Sequence, residues 1–366
     1  MNRFSALEKR VDEVSKLGLR RTLRSLNMIS GTMGILDGRE VHVFCSNDYL
    51  GLAHHPEVLR AFEGAGSGAS RLISGNRPAH QRIESQLGEM YGRPVTLFSS
   101  GYHANLALMS TVLVQGDTVC SDALNHASII DGLRLSRAHR VVINHGAADQ
   151  IDPLARMVVV EGLYSMDGDT LNLADYAGEP WLAVDEAHSV GVLGPSGRGV
   201  AAMQGVEPDF LVGTLGKAFG SYGAFVVGPP SLRELLISRG RSFIFTTGLP
   251  ESVVNAALVA LTLATDERRQ RLADRVARFR RGLFDLGLSA LGAHHIVPVV
   301  FGAQTMRIAE ALLQHGFWAA GIRAPTVPSG TERVRFTLSA EHTPTQIDQL
   351  LDAINFVLQE IDYDCA

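Results

Sequence analysis

Of the 33 basic residues in this chain only three are lysines, and two of them, Lys9 and Lys16, lie near the N-terminus. The third, Lys217, stands alone in Asp209-Phe-Leu-Val-Gly-Thr-Leu-Gly-Lys-Ala-Phe-Gly-Ser-Tyr-Gly-Ala-Phe-Val-Val-Gly228, among five glycines and between two apolar runs. An amine in such surroundings loses hydration, which lowers its pKa and makes it a nucleophile or a base. A phosphate-loop lysine would need four residues between a glycine and Gly-Lys, then Ser or Thr. Gly213 is too close and Ala218 follows the lysine, so that alternative fails on spacing and identity.

A second cluster complements the amine. Asp185 and His188 follow the apolar run Trp181-Leu-Ala-Val184, and Glu161 to Ser165 follow Met157-Val-Val-Val160. A reactive lysine and a nearby carboxylate are what pyridoxal phosphate requires. The lysine bonds its aldehyde, and the carboxylate keeps its ring nitrogen protonated so that the ring withdraws electrons. Ser99-Ser-Gly-Tyr-His103 opens a helix, and free N–H groups at a helix start can cradle a phosphate. His126 or Tyr102 could lie against the ring. Plainer readings exist for each residue taken singly. Asp185 could cap a helix, His188 could bond locally, and His103 could be an ordinary turn residue. His145 and His342 receive no role.

The elements that position these residues read as α/β. Continuous apolar runs ending in polar residues are strands covered on both faces, and ligands in open α/β sheets bind at carboxyl ends. Spacing near 3.6 predicts helices over 5–26, 56–62, 80–91, 104–114, 233–239, 306–315 and 345–361. A longer helix runs from Glu251 to about Leu286, with a bend near Asp266. Residues 34–44 alternate as a hairpin or extended arm, and 296–301 and 333–338 as strands. Gly64-Ala-Gly-Ser-Gly-Ala69 formally fits a dinucleotide motif, but a helix precedes it where a strand is required. Three units follow: an arm over 1–43, a large domain over 44–265 and a smaller α/β domain over 266–366.

Composition narrows the class. The chain has 366 residues, 46% apolar and 19% charged, with a net charge of −5. That excludes a basic footprint for nucleic acid. Its longest apolar runs are too short to cross a bilayer, and the start lacks the apolar core of a secretory signal. Cys45, Cys120 and Cys365 are too few and too scattered for a disulfide framework or a four-ligand zinc site. We expect reduced thiols in a cytoplasmic protein.

Several segments together resemble the α-oxoamine synthases. They are Asn47-Asp-Tyr-Leu-Gly-Leu52, Ser100-Gly-Tyr-His-Ala-Asn105, Asn125-His-Ala-Ser128, Glu161 to Gly168, Val184-Asp-Glu-Ala-His188, Gly213-Thr-Leu-Gly-Lys217 and Phe245-Thr-Thr-Gly-Leu-Pro250. The resemblance spans nearly the whole chain. It implies a fold-type I pyridoxal-phosphate transferase: a mostly parallel seven-stranded sheet with helices on both faces, plus a smaller α/β domain. It implies that Lys217 anchors the cofactor and moves protons, that Asp185 pairs with the ring nitrogen, and that His188 bonds the ring oxygen. His126 would stack on the ring, with Ser165 on its oxygen side and Glu161 in support. Ser100, Gly101, Tyr102 and Thr214 would hold the phosphate, with Thr247 reaching the cofactor of the other copy in a homodimer. Asn47 and Arg335 would hold an amino-acid carboxylate. Arg20 or Arg21, and Thr326, would line the acyl channel. The segment Arg323 to Leu338 is similar to the branch that joins L-alanine to a pimeloyl thioester, of CoA or an acyl-carrier protein, in biotin synthesis. Sister enzymes that use glycine or serine, and a non-catalytic cofactor-binding protein, are the alternatives. Tyr102-His103 and the bulky Gly220-Ser-Tyr222 depart from the pattern near the expected acyl pocket.

Overall fold

A computed structural model describes residues 3–361. Helix α1 (Ser5–Lys16) stops ten residues before the expected end at 26. The cause is Gly18, at φ +65°. Its N–H bonds Ser15 O at 3.0 Å and the Leu19 N–H bonds Val14 O at 2.9 Å, the closure a left-handed glycine gives a helix end. The apolar stripe of α1 (Leu7, Val11, Val14) is exposed. The chain then enters strands β1 (Leu26–Met28), β2 (Met33–Leu36) and β3 (Arg39–Val43). The β2–β3 pair is the expected hairpin, and β1 adds an edge to it. Helices α2 (Pro56–Arg60) and α3 (Pro78–Tyr91) follow.

The central sheet then forms from β4 (Val95–Phe98), β5 (Thr118–Asp122), β6 (His139–Ile143), β7 (Met157–Glu161), β8 (Trp181–Asp185), β9 (Phe210–Thr214) and β10 (Ala224–Val227). Their order is β4-β10-β9-β8-β7-β5-β6. Only β10 runs antiparallel to its neighbours. Between strands come α4 (Gly101–Val112), α5 (Ala127–Ser136) and α6 (Val200–Met203). After β10 come α7 (Pro230–Arg239), α8 (Arg241–Ile244), α9 (Glu251–Leu263) and α10 (Asp266–Asp285).

Alternate strand residues feed two separate buried clusters, as the two-residue side-chain period requires. Val158, Val160, Leu182 and Val184 pack on one face with α3, α9 and α10. Met157, Val159, Ala183 and Val212 pack on the other with α4, α5 and α7. At Gly213 a Cβ would stand 2.3 Å from the Phe225 ring, so only glycine fits there. The long helix expected from 251 is two helices, α9 and α10, broken at Ala264-Thr265 where the Thr265 hydroxyl caps the Arg268 N–H at 3.4 Å.

The C-terminal part holds β11 (Ile296–Val300), α11 (Thr305–Gln314), β12 (Phe317–Trp318), β13 (Ala320–Ile322), β14 (Arg333–Thr337) and α12 (Pro344–Glu360). Its sheet runs β11-β14-β13. Strand β12 leaves that sheet and pairs in parallel with β3, joining the N-terminal hairpin to the C-terminal part. Cys45 and Cys120 are free thiols, and Cys365 lies outside the described residues.

Candidate active site

Parallel register brings the polar residues together. Glu161 at the end of β7 is directly opposite Asp185 at the end of β8. The Gly162 N–H bonds Asp185 O, and the Glu186 N–H bonds Val212 O, each at 2.8 Å. The chains therefore leave the sheet side by side, and Lys217 follows three residues past β9.

Asp185 is buried, and its carboxylate is held by neutral donors. Asn105 Nδ2 donates to Oδ2 at 2.7 Å and the Ala187 N–H donates to Oδ1 at 2.9 Å. No cation pairs with it among the described residues. A buried carboxylate without a counter-charge is a site for a proton-bearing cation. Lys217 makes no ion pair among the described residues. Burial lowers its amine to about 8, Asp185 and Glu161 pull it upward, and Arg335 adds to the fall. Burial, with Asp185 beside it, pushes Glu161 well above the usual carboxylate range.

The histidines divide the work. His126 begins α5, and its backbone N–H bonds Glu161 Oε1 at 2.6 Å. Its Nδ1 meets Ser128 Oγ at 2.8 Å, and Ser128 Oγ in turn accepts from Asn105 Nδ2 at 2.9 Å. That chain of bonds makes Nδ1 the acceptor and leaves Nε2 the proton. Burial lowers the His126 pKa, helped by Lys217. His188 is buried with Nδ1 2.7 Å from Tyr49 Oη. Burial, then Lys217 and Arg335, push it well below the ordinary histidine value, so it is a neutral imidazole.

Asn47 Oδ1 accepts from Tyr49 Oη at 3.0 Å and from Arg335 Nη2 at 3.3 Å. Arg335 Nε donates to the backbone oxygen of Ser165 at 2.5 Å, which ties β14 to the loop after β7. Ser100 caps α4 by accepting from the His103 N–H at 3.3 Å. The first N–H groups of a helix have no intrahelical acceptor, so those of Gly101 and Tyr102 face outward for an anion. A Cβ on Gly101 would meet nothing within 4 Å, so the space above that turn is open.

Other expected residues are exposed or bonded elsewhere. The Tyr102 hydroxyl is exposed and donates to Asp131. Thr214 is buried with its hydroxyl donating to Gly223 O at 3.0 Å. Thr247 is exposed, in a loop that lines a small cavity with Ser99 and Phe98. Arg20, Arg21 and Thr326 are all exposed. One contact draws them into one neighbourhood: Arg323 Nη2 donates to Gly18 O at 2.6 Å, linking the end of α1 to the Arg323–Thr326 turn.

Sequence reasoning gave no role to three residues that matter here. Asn105 binds Asp185, and its clue was a polar amide in the middle of an otherwise apolar helix. Tyr49 fixes His188. His295, fully buried, packs its ring 4.1 Å from that of Tyr49, and burial lowers it to about 3. By contrast His342 is a core histidine, stacked on Phe44 at 4.0 Å.

Comparison with known proteins gives the family. The aminotransferase class I and II family matches residues 39–354. A protein of Desulforudis audaxviator described as a putative 8-amino-7-oxononanoate synthase is 44% identical over 97% of this chain and 99% of its own. The 8-amino-7-oxononanoate synthase of Methylococcus capsulatus is 45% identical over 88% of this chain and 90% of its own. Among solved structures, serine palmitoyltransferase of Sphingomonas wittichii superposes with a TM-score of 0.91 at 30% identity, covering 99% of this chain and 98% of that one. With a half-buried lysine beside a buried carboxylate and histidine at the carboxyl ends of a mostly parallel sheet, the chain belongs to the class I and II aminotransferase family and, within it, to the 8-amino-7-oxononanoate synthases.

Proposed function

We propose that this chain condenses L-alanine with a pimeloyl thioester, releasing carbon dioxide and free thiol and forming 8-amino-7-oxononanoate for biotin synthesis. The observation that carries the reading is the half-buried Lys217 three residues past β9, within electrostatic reach of the buried Asp185 carboxylate, which is bonded only by neutral donors. Pyridoxal phosphate, when bound, supplies an aldehyde for the substrate amine and a ring that takes up the charge left on the α-carbon.

The chain's own residues do the rest. Asp185 holds a proton at the ring nitrogen, and Asn105 fixes the carboxylate for that task. Lys217 anchors the cofactor, then takes and returns the α-proton at Nζ; an amine poised near neutrality suits both directions of transfer. His126 covers the ring, and Glu161 holds the backbone at His126. His188, whose Nδ1–H donates to Tyr49 Oη, would offer Nε2 as an acceptor to the ring hydroxyl, beside Ser165. The outward N–H groups of Gly101 and Tyr102 and the Ser100 turn receive the phosphate, with Thr214 after its hydroxyl leaves Gly223. Asn47 and Arg335 receive the alanine carboxylate. Arg20, Arg21 and Thr326 lie on the acyl side. A second copy of the chain completes the site through Thr247, and we place the homodimer in the cytoplasm.

The experiment mixes purified protein with pyridoxal phosphate, L-alanine and either pimeloyl-CoA or a pimeloyl-acyl-carrier protein, and follows thiol release and product mass. Turnover with alanine supports the reading. Thiol release with glycine or serine but not alanine assigns the chain to a sister reaction. A cofactor absorbance band that shifts with alanine, without turnover on any thioester, means binding without catalysis.

A further inference from the structure

Outside the catalytic centre, three ionisable side chains, His145, Asp122 and Asp169, are hydrogen-bonded into one group. His145 lies two residues past the end of β6. Its Nδ1 is 3.1 Å from both carboxylate oxygens of Asp122, and its Nε2 is 2.8 Å from Asp169 Oδ2. Asp122 is fully buried at the end of β5, four residues before His126, and its Oδ1 also accepts the Leu124 N–H at 2.8 Å. Asp169 follows the loop that carries Glu161 and Ser165. That loop closes through the Tyr164 N–H on Asp169 O at 3.0 Å and the Gly168 N–H on Tyr164 O at 2.9 Å. The His145 ring meets Tyr164 edge-on at 4.5 Å, and the Tyr164 hydroxyl accepts from the Glu161 N–H at 3.2 Å.

We propose that His145 is a positioning residue: one imidazole, hydrogen-bonded at both nitrogens, ties the segment bearing His126 to the segment bearing Glu161 and Ser165. Both carboxylates accept, so both ring nitrogens donate, which only the imidazolium can do. The bonds to Asp122 and Asp169 raise His145 to about 10, so the ring keeps its charge throughout the neutral range. Without that cation two carboxylates would face each other across a partly buried gap, one of them with Oδ1 buried and unbonded among the described residues. The loops would separate, and the Glu161 contact to the His126 N–H would loosen with them. The clamp acts on residues that the proposed function places at the cofactor, so its catalytic consequence rests on that reading, whereas its mechanical consequence does not.

The test compares wild type with His145→Gln, Asp169→Asn and the double variant. Hydrogen exchange is measured on the cofactor-free protein. Cofactor affinity is read from the absorbance of bound pyridoxal phosphate, and kcat and KM from thiol release, all below the melting temperature of each variant. We expect amides 123–128 and 161–169 to exchange faster in both single variants. Cofactor affinity and kcat should drop on the order of tenfold to a hundredfold, the scale of a small misplacement. The double variant removes the charge conflict and regains melting temperature, but regains neither exchange protection nor kcat. If the melting temperature falls while exchange in those segments, cofactor affinity and kcat stay at wild-type values, His145 is merely structural and the proposal is wrong. Should His145→Gln fail to fold, Asp169→Asn decides by the same readings. If wild type binds no pyridoxal phosphate, the function assigned above fails, and the exchange data still judge the clamp.

Discussion

Lys217 and His145 are both cationic side chains near carboxylates at or beyond the ends of parallel strands, yet the protein treats their charges in opposite ways. His145 is hydrogen-bonded by Asp122 and Asp169 and raised to about 10. Lys217 feels Asp185 and Glu161 only through space, bonds neither, and is lowered to about 8. Direct charge-assisted bonds outweigh the loss of hydration in one case, and desolvation wins in the other. The difference fits the two kinds of work proposed for them. A clamp must keep its proton, and a proton carrier must be able to lose it.

The largest effect should come from Lys217. Replacing it with alanine should reduce kcat by at least about 10²–10⁴-fold, the value of a placed acid–base group, and remove the covalent anchor as well. Lys217→Met tests the other side of the comparison. The fall of the amine from 10.5 to about 8 corresponds to at most about 3 kcal/mol of destabilisation below pH 8. The inactive methionine variant should therefore melt higher than wild type at pH 7 in the cofactor-free state. A lower melting temperature would mean that Lys217 is not strained by burial.

Asp185→Asn comes next. The amide cannot hold a proton at the ring nitrogen, and we expect a loss of about a hundredfold or more in kcat with little change in the KM for the thioester. Asn105→Ala should give a milder version of the same loss, because it leaves the charge and removes only the 2.7 Å bond that aims it. Equal losses in the two variants would show that aim matters as much as charge.

Melting temperature against pH separates the two cations directly. For His145 the raised pKa means that stability is fully present below pH 6.5 and is lost as pH rises toward about 10. The groups that set this are Asp122 and Asp169, with Tyr164 and Tyr176 adjacent. For Lys217 the lowered pKa means that its cost is full below about pH 8 and vanishes by 10.5, so stability rises with pH there. Between pH 8 and 10 the two slopes oppose. Relative to wild type, Lys217→Met should lose stability more steeply over that range, and His145→Gln less steeply. Parallel curves for all three proteins would break the comparison.

The sequence made Lys217, Asp185 and His188 legible because apolar runs ending in polar residues reveal both the strand and its carboxyl end. The same runs mark β7, β8, β9 and β10 of the central sheet. Strand β6 is harder to see: its run Val141-Val-Ile143 follows two exposed polar residues, and on this edge strand only Ile143 is buried. The clamp was invisible for a different reason. Asp122, His145 and Asp169 are 23 and 24 residues apart, and nothing local marks them as partners. Only the β5–β6 and β5–β7 pairings bring their strand ends together. Helix α1 is shorter than its hydrophobic spacing suggests because Gly18 ends it, a stop signal that is conformational.

The smallest effect should lie where the side chains have the least support. Arg20 and Arg21 are exposed, in a segment tied down by the contact of Arg323 to Gly18. An exposed charge contact is worth about 0.2–1 kcal/mol, and that is at most about fivefold in affinity. Arg20→Ala and Arg21→Ala should each raise the KM for the pimeloyl thioester by no more than that, leaving kcat and the KM for alanine unchanged. The increase should fade as salt screens the wild-type contact. A change in the alanine KM would move these arginines from the acyl side to the amino-acid side. A loss of kcat would mean that they shape the catalytic centre, against the division drawn here between a prebuilt floor at the strand ends and a rim that the thioester itself organises.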